Sequence, residues 1–172
     1  MSLKKLPIGF QTISEIREDD YLYIDKTEMA YELLQTYKYV FLSRPRRFGK
    51  SLFLDTLRNI FEGNKHYFEG LAIEDHWDWA VSYPVIRVSF ASGKIENRTQ
   101  LDESILRTLK ENQHYLDIEC EEKNSVAGCF SELIRKAHAK YQQKVLVLVD
   151  EYDKPILDNI LEMTKFTFGL KD

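Results

Sequence analysis

Cysteine, histidine and positive charge are all in short supply, and each shortage narrows what this chain can be. The two cysteines, Cys120 and Cys129, are too few for a disulfide framework and lack metal-ligand spacing, so both are expected as free thiols of a reducing cytoplasm. Among the four histidines, His66 and His76 lie among scattered acids that set no ligand geometry, while His114 and His138 fall on polar helical faces. No apolar run approaches the roughly 20 residues needed to cross a bilayer. The first residues also lack the apolar centre of a signal peptide, so a cytoplasmic protein without a membrane partner is expected. Lys and Arg number 24 against 28 Asp and Glu, a net charge of −4. That balance removes any overall basic field for a nucleic acid and leaves only local contacts.

What the chain does have is a globular composition, 44% hydrophobic and 30% charged, and enough length to bury roughly 70% of its unfolded surface as one domain. One stretch organises it: RPRRFGKS at 44–51, between the apolar run Tyr39-Val40-Phe41-Leu42-Ser43 and a helical pattern from Leu52 to Phe61. Strand, tight loop and Gly-Lys-Ser opening a helix form the setting of a phosphate-binding loop. Amides at a helix start have no intrahelical partner and sit at the positive end of the helix dipole, so a polyphosphate is their natural ligand. Lys50 would reach the outer phosphates and Ser51 would offer its hydroxyl to Mg²⁺. The usual glycine five positions before Gly49 is replaced by Arg44. The competing reading is a solvated basic loop or a local nucleic-acid contact built from Arg44, Arg46, Arg47 and Lys50.

A second motif lies far down the chain. Five apolar residues, Val145 to Val149, run into Asp150-Glu151, the pattern of a buried parallel strand that delivers two carboxylates at its C-terminal end. In nucleotide hydrolysis one such acid holds Mg²⁺ and its neighbour activates water. The plainer reading makes them strand-end carboxylates that cap a helix beginning near Lys154-Pro155.

RPRRFGKSLF together with YLYIDKTEMAYELL (21–34), YPVIRVSF (83–90) and VLVLVDEYDKPI (145–156) resembles the bacterial AAA-ATPase-like family of P-loop proteins, over about residues 8–160. These are relatives of archaeal-type ATPases that often carry a PD-(D/E)XK nuclease-like domain downstream; that part is not in this sequence. In such proteins Arg-Pro-Arg-Arg is the usual form of the loop. The resemblance implies ATP as ligand, in preference to GTP, and leaves room for a homo-oligomer that lends an arginine across subunits, and for DNA through the nuclease-like context. Asp25-Lys26-Thr27 recurs in the family, although helix capping accounts for Asp25 by itself.

The remaining chain gives an α/β order: a P-loop NTPase-like parallel sheet flanked by helices. Residues 1–38 read as an N-terminal arm and helix, 39–160 as the P-loop core and 161–172 as a tail. Ile8, Gly9 and Phe10 are read as a packing arm, with contact to the nucleotide base as the alternative. Helices are expected at about 26–36, 97–115 and 126–142, and after Pro155; a middle strand is expected within 83–90. The aromatics Tyr67, Phe68, Trp77 and Trp79 are expected to cover a core edge. Only Leu161 to Asp172 remain where the family has a sensor strand and a lid. The domain is therefore expected to be C-terminally incomplete, with phosphate binding retained and turnover impaired.

The expectation is thus a Mg²⁺-dependent ATP-binding domain. Lys50 and Glu151 are the catalytic candidates; Arg46, Arg47, Phe48, Gly49, Lys50, Ser51 and Leu52 bind the nucleotide, and Ser51 and Asp150 hold the metal, with Asp153 supporting its shell. The alternative is a non-hydrolysing, nucleotide-responsive interaction module or a DNA-associated regulatory protein.

Overall fold

A computed structural model describes residues 3–43, 45, 47–91, 95 and 97–155. Arg44, Arg46, the Ser92-Gly93 break, the helix expected after Pro155 and the tail lie outside them. The chain divides into two units, Met1–Tyr83 and Pro84–Asp172.

The first unit is helical. Helix α1, Ile13–Glu18, starts at Thr12, whose hydroxyl oxygen accepts the Glu15 amide; its Ile13 and Ile16 are buried. Helix α2 covers Thr27–Thr36 and α3 covers Lys50–Phe61. Buried Asp55 of α3 accepts the Ile13 amide at 2.8 Å and the Asn59 side-chain amide at 3.2 Å, which ties α1 to α3 across 42 residues of sequence. Beyond α3, Gly63 takes φ +78°. The Gly63 and Asn64 amides reach back to the carbonyls of Ile60 and Asn59, the paired closure that ends a helix on a left-handed residue. A 3₁₀ turn, Lys65–Phe68, follows.

Ile13, Ala30, Ile60, Phe68 and Ile73 form the core of this unit, with Tyr67, Trp77 and Trp79 packed against it. The aromatic segment therefore covers a core edge, as its composition predicts. Asp25 is not the N-cap of α2 that the sequence suggests: that position is Lys26, which makes no side-chain cap bond, and Asp25, one residue earlier, ties the helix start to a distant segment. One carboxylate oxygen accepts the Thr27 amide and hydroxyl, and the other accepts the Ala72 amide at 2.8 Å. Burial opposes ionisation of Asp25, but these donors outweigh it and hold its pKa below the ordinary carboxylate value.

The second unit is built on a parallel pair of strands, β1 (Val85–Ser89) and β2 (Leu146–Asp150), with Val85 opposite Leu146 and Ser89 opposite Asp150. Between them in sequence run α4, Arg98–Leu116, and α5, Val126–Tyr141. Each is capped by its preceding residue: Asn97 accepts the Gln100 amide and Ser125 the Gly128 amide. Ile86 and Val88 of β1 pack with Leu109 and Leu116 of α4 and with Cys129, Leu133 and Ala137 of α5. Asn112 of α4 fastens the helix to the middle of β1, accepting from the Arg87 amide and donating to the Arg87 carbonyl, both at 2.8 Å. Both cysteines are buried free thiols.

Two expected strands need revision. Residues 39–43 are not part of the sheet. Consecutive apolar residues are buried only where both faces of a strand are covered, and the first unit packs its helices around a separate centre that leaves Tyr39 and Phe41 exposed. The strand before Asp150 is expected to be buried on both faces, yet Val147 and Val149 are 36% and 43% exposed while Leu148 and Asp150 are buried. Among the described residues β2 has a single neighbour strand, so its side chains alternate between a covered and an open face.

Candidate functional site

The basic loop and the acidic strand end belong to different units. In the first unit, Arg47 lies at φ +67° and Gly49 at φ +74°. Two left-handed residues so close together turn the chain sharply into α3. Gly49 accepts the Phe53 amide at 2.9 Å, closing the first helical turn. The N-cap residue is Gly49, which has no side chain to cap with, and the first turn of α3 carries no acid. With no acid in that first turn, nothing of like charge opposes an anion at the positive end of the α3 dipole. A Cβ built on Gly49 would meet nothing within 4 Å, so the backbone is open to a close approach. Phe48 and Gly49 lie in this turn, and Lys50, Ser51 and Leu52 open α3. Arg46 lies outside the described residues.

In the second unit, β2 ends on Asp150, which is 6% exposed. One carboxylate oxygen accepts the Glu151 amide at 3.0 Å and the other stands 3.7 Å from the Arg87 guanidinium. Glu151 is left-handed, φ +52°, and its carbonyl accepts the Lys154 amide, so the chain reverses at once and carries Tyr152 and Asp153 in the turn. Arg87 is the neighbour that sequence reading missed. The register sets Arg87 opposite Leu148, hence two residues from Asp150 on the same strand face; only the pairing of β1 with β2 could reveal it.

The residues fit the groups that the sequence suggests. An acid-free helix start suits a polyphosphate, and hydroxyl and carboxylate oxygens are each of the hard type that suits Mg²⁺. Among the described residues no group of three or more His, Cys, Asp and Glu side chains is arranged to hold a metal by itself. No helix among them is long and apolar enough to cross a membrane.

Comparison with known proteins settles the lineage. Residues 7–168 match the family described as AAA-ATPase_like, Predicted AAA-ATPase. The chain belongs to that family. A relative in Azotobacter chroococcum mcd 1, described as "Uncharacterized protein in vnfD 5'region", is 53% identical over 161 residues, covering 93% of this chain and 31% of the relative. The chain thus spans about a third of the length of that relative. No solved structure matches.

Proposed function

We propose that the chain is a Mg²⁺-dependent ATP-binding domain with P-loop topology, a single domain over 1–172 whose nucleotide core lies in 39–160. One observation carries this reading: α3 starts from a left-handed glycine, with no side-chain cap and no acid in its first turn, in a chain of the Predicted AAA-ATPase family. Parallel pairing of two strands through intervening helices supports the topology.

In this reading the first amides of α3, with Lys50 and its neighbours Arg46, Arg47, Phe48 and Leu52, bind the phosphates. Ser51 and Asp150 hold the metal, and Glu151 orients and deprotonates the water that attacks the γ-phosphorus in line. Bound Mg²⁺ supplies neutralisation of the outer phosphate charge.

Calorimetric titration with MgATP and an assay of phosphate release test it on three proteins. The parent is expected to bind, Lys50→Ala to lose binding, and Glu151→Gln to bind without releasing phosphate. Binding without turnover in the parent points to the nucleotide-responsive interaction module. Salt-sensitive oligonucleotide binding indifferent to ATP replaces both with a DNA-associated protein. The cytoplasmic setting, the homo-oligomer and the nuclease-like neighbour implied by the family resemblance stay within this proposal; assaying turnover with DNA present, on a longer family member, tests the last.

A further inference from the structure

The second unit has a cleft of its own, about 600 Å³ in volume, between α4 and the connection from α4 to α5. That size falls in the usual range of small-molecule sites. The deeper part of its lining is neutral. Ile118, Cys120 and Cys129 are buried there, and burial keeps both thiols protonated near neutral pH. Gln113 is committed to the same part, accepting the Cys120 amide at 2.9 Å and donating to the Cys129 sulfur at 3.4 Å.

The rim is basic. Arg107, Lys110 and His114 stand three and four residues apart on one face of α4, and exposed Lys123 joins them from the connection. Like charges at this spacing repel along a helix. The usual offset is within reach and unused. Glu103 and Glu111 flank Arg107 four residues to either side, yet among the described residues neither forms an ion pair with it; the guanidinium reaches the Ser104 hydroxyl at 3.5 Å instead. Lys110 and Lys123 form no ion pair among the described residues either. Of the two acids in the lining, Asp117 is held by Lys140 at 2.8 Å. That leaves the single charge of Glu119 against those of Arg107, Lys110 and Lys123, a local positive surplus in a chain of net charge −4.

We propose that this cleft binds a small organic oxyanion carrying two or more negative charges, at a site independent of the nucleotide reading. Arg107 offers the planar fork that pairs with a carboxylate or a phosphate alike. Lys110 and Lys123 add charge from the two walls, and Ile118 with the neutral thiols takes the carbon body of the ligand. A long polyanion is the poorer match, because exposed Glu103 and Glu111 on the same helix would repel its flanks.

The test is an NMR titration of the full chain with citrate and, separately, inorganic pyrophosphate, at constant ionic strength. At least one of the two is expected to shift the amides of Lys110, Gln113, Cys120 and Lys123 to saturation, and the tighter of them identifies the class. A Lys110→Glu/Lys123→Glu variant is expected to bind that anion about tenfold weaker or more. Shifts confined to residues 48–52, shifts that never saturate with either anion, or an affinity unchanged in the variant overturn the proposal. So does a short DNA duplex that saturates these amides when neither small anion does; the face then belongs to nucleic acid. If the double reversal fails to fold, Lys110→Gln/Lys123→Gln carries the same comparison.

Discussion

Gly49 holds φ +74° with open space where a side chain would be, so the cost of replacing it is conformational and not steric. Left-handed backbone penalises an L-residue by roughly 1 kcal/mol. Gly49→Ala is expected to lower stability by about that amount in urea titration. The buried thiols make a separate prediction at the same scale. Burial, and then the neighbouring Cys129, push the Cys120 thiol up to about 11, and Cys129 is raised as well, again chiefly by burial. Thiolate is the reactive species. Iodoacetamide at pH 8 is therefore expected to leave Cys120 and Cys129 unlabelled in the native protein and to label both after unfolding, read by intact mass.

At the scale of elements, single polar side chains decide how helices meet their neighbours. Asn112 satisfies the amide and carbonyl of Arg87 in mid-strand. Asn112→Ala leaves both groups without that partner and is expected to cost about 1–3 kcal/mol, seen as a lower urea midpoint. Glu132 of α5 anchors the connection from α4. Lys136 at 2.6 Å, then the Glu122 and Glu121 amides at 3.1 and 3.0 Å, hold it to a pKa of about 2 against an ordinary value of 4.5. Because the folded value is the lower one, this stabilisation is full above pH 4.5 and is lost as pH falls towards 2. Glu132→Gln is expected to be less stable than the parent at pH 7 and to converge on it in acid, measured by thermal unfolding across that range.

For the whole molecule, ligand linkage gives the measurement. A nucleotide that binds only the folded chain adds about 2.7 kcal/mol at one hundred times its dissociation constant, so MgATP is expected to raise the melting temperature. The same experiment with EDTA, and with Asp150→Ala, is expected to lose most of that gain if Asp150 holds the metal. An equal gain with and without Asp150 removes it from the site.

What could be read from the chain itself is local. The helices near 97–115 and 126–142 announce themselves because their apolar residues recur within one or two turns, and Gly49-Lys50-Ser51 opens α3 where its motif predicts. The Predicted AAA-ATPase family was equally legible, since four separated motifs carry it. Tertiary structure alone decided the rest. It kept Tyr39, Val40 and Phe41 out of the sheet, opened one face of β2, set Arg87 beside Asp150 and gathered Arg107, Lys110 and Lys123 around one cleft. Hydropathy says that a side chain seeks cover; which distant segment provides it depends on contacts that no short window of sequence contains.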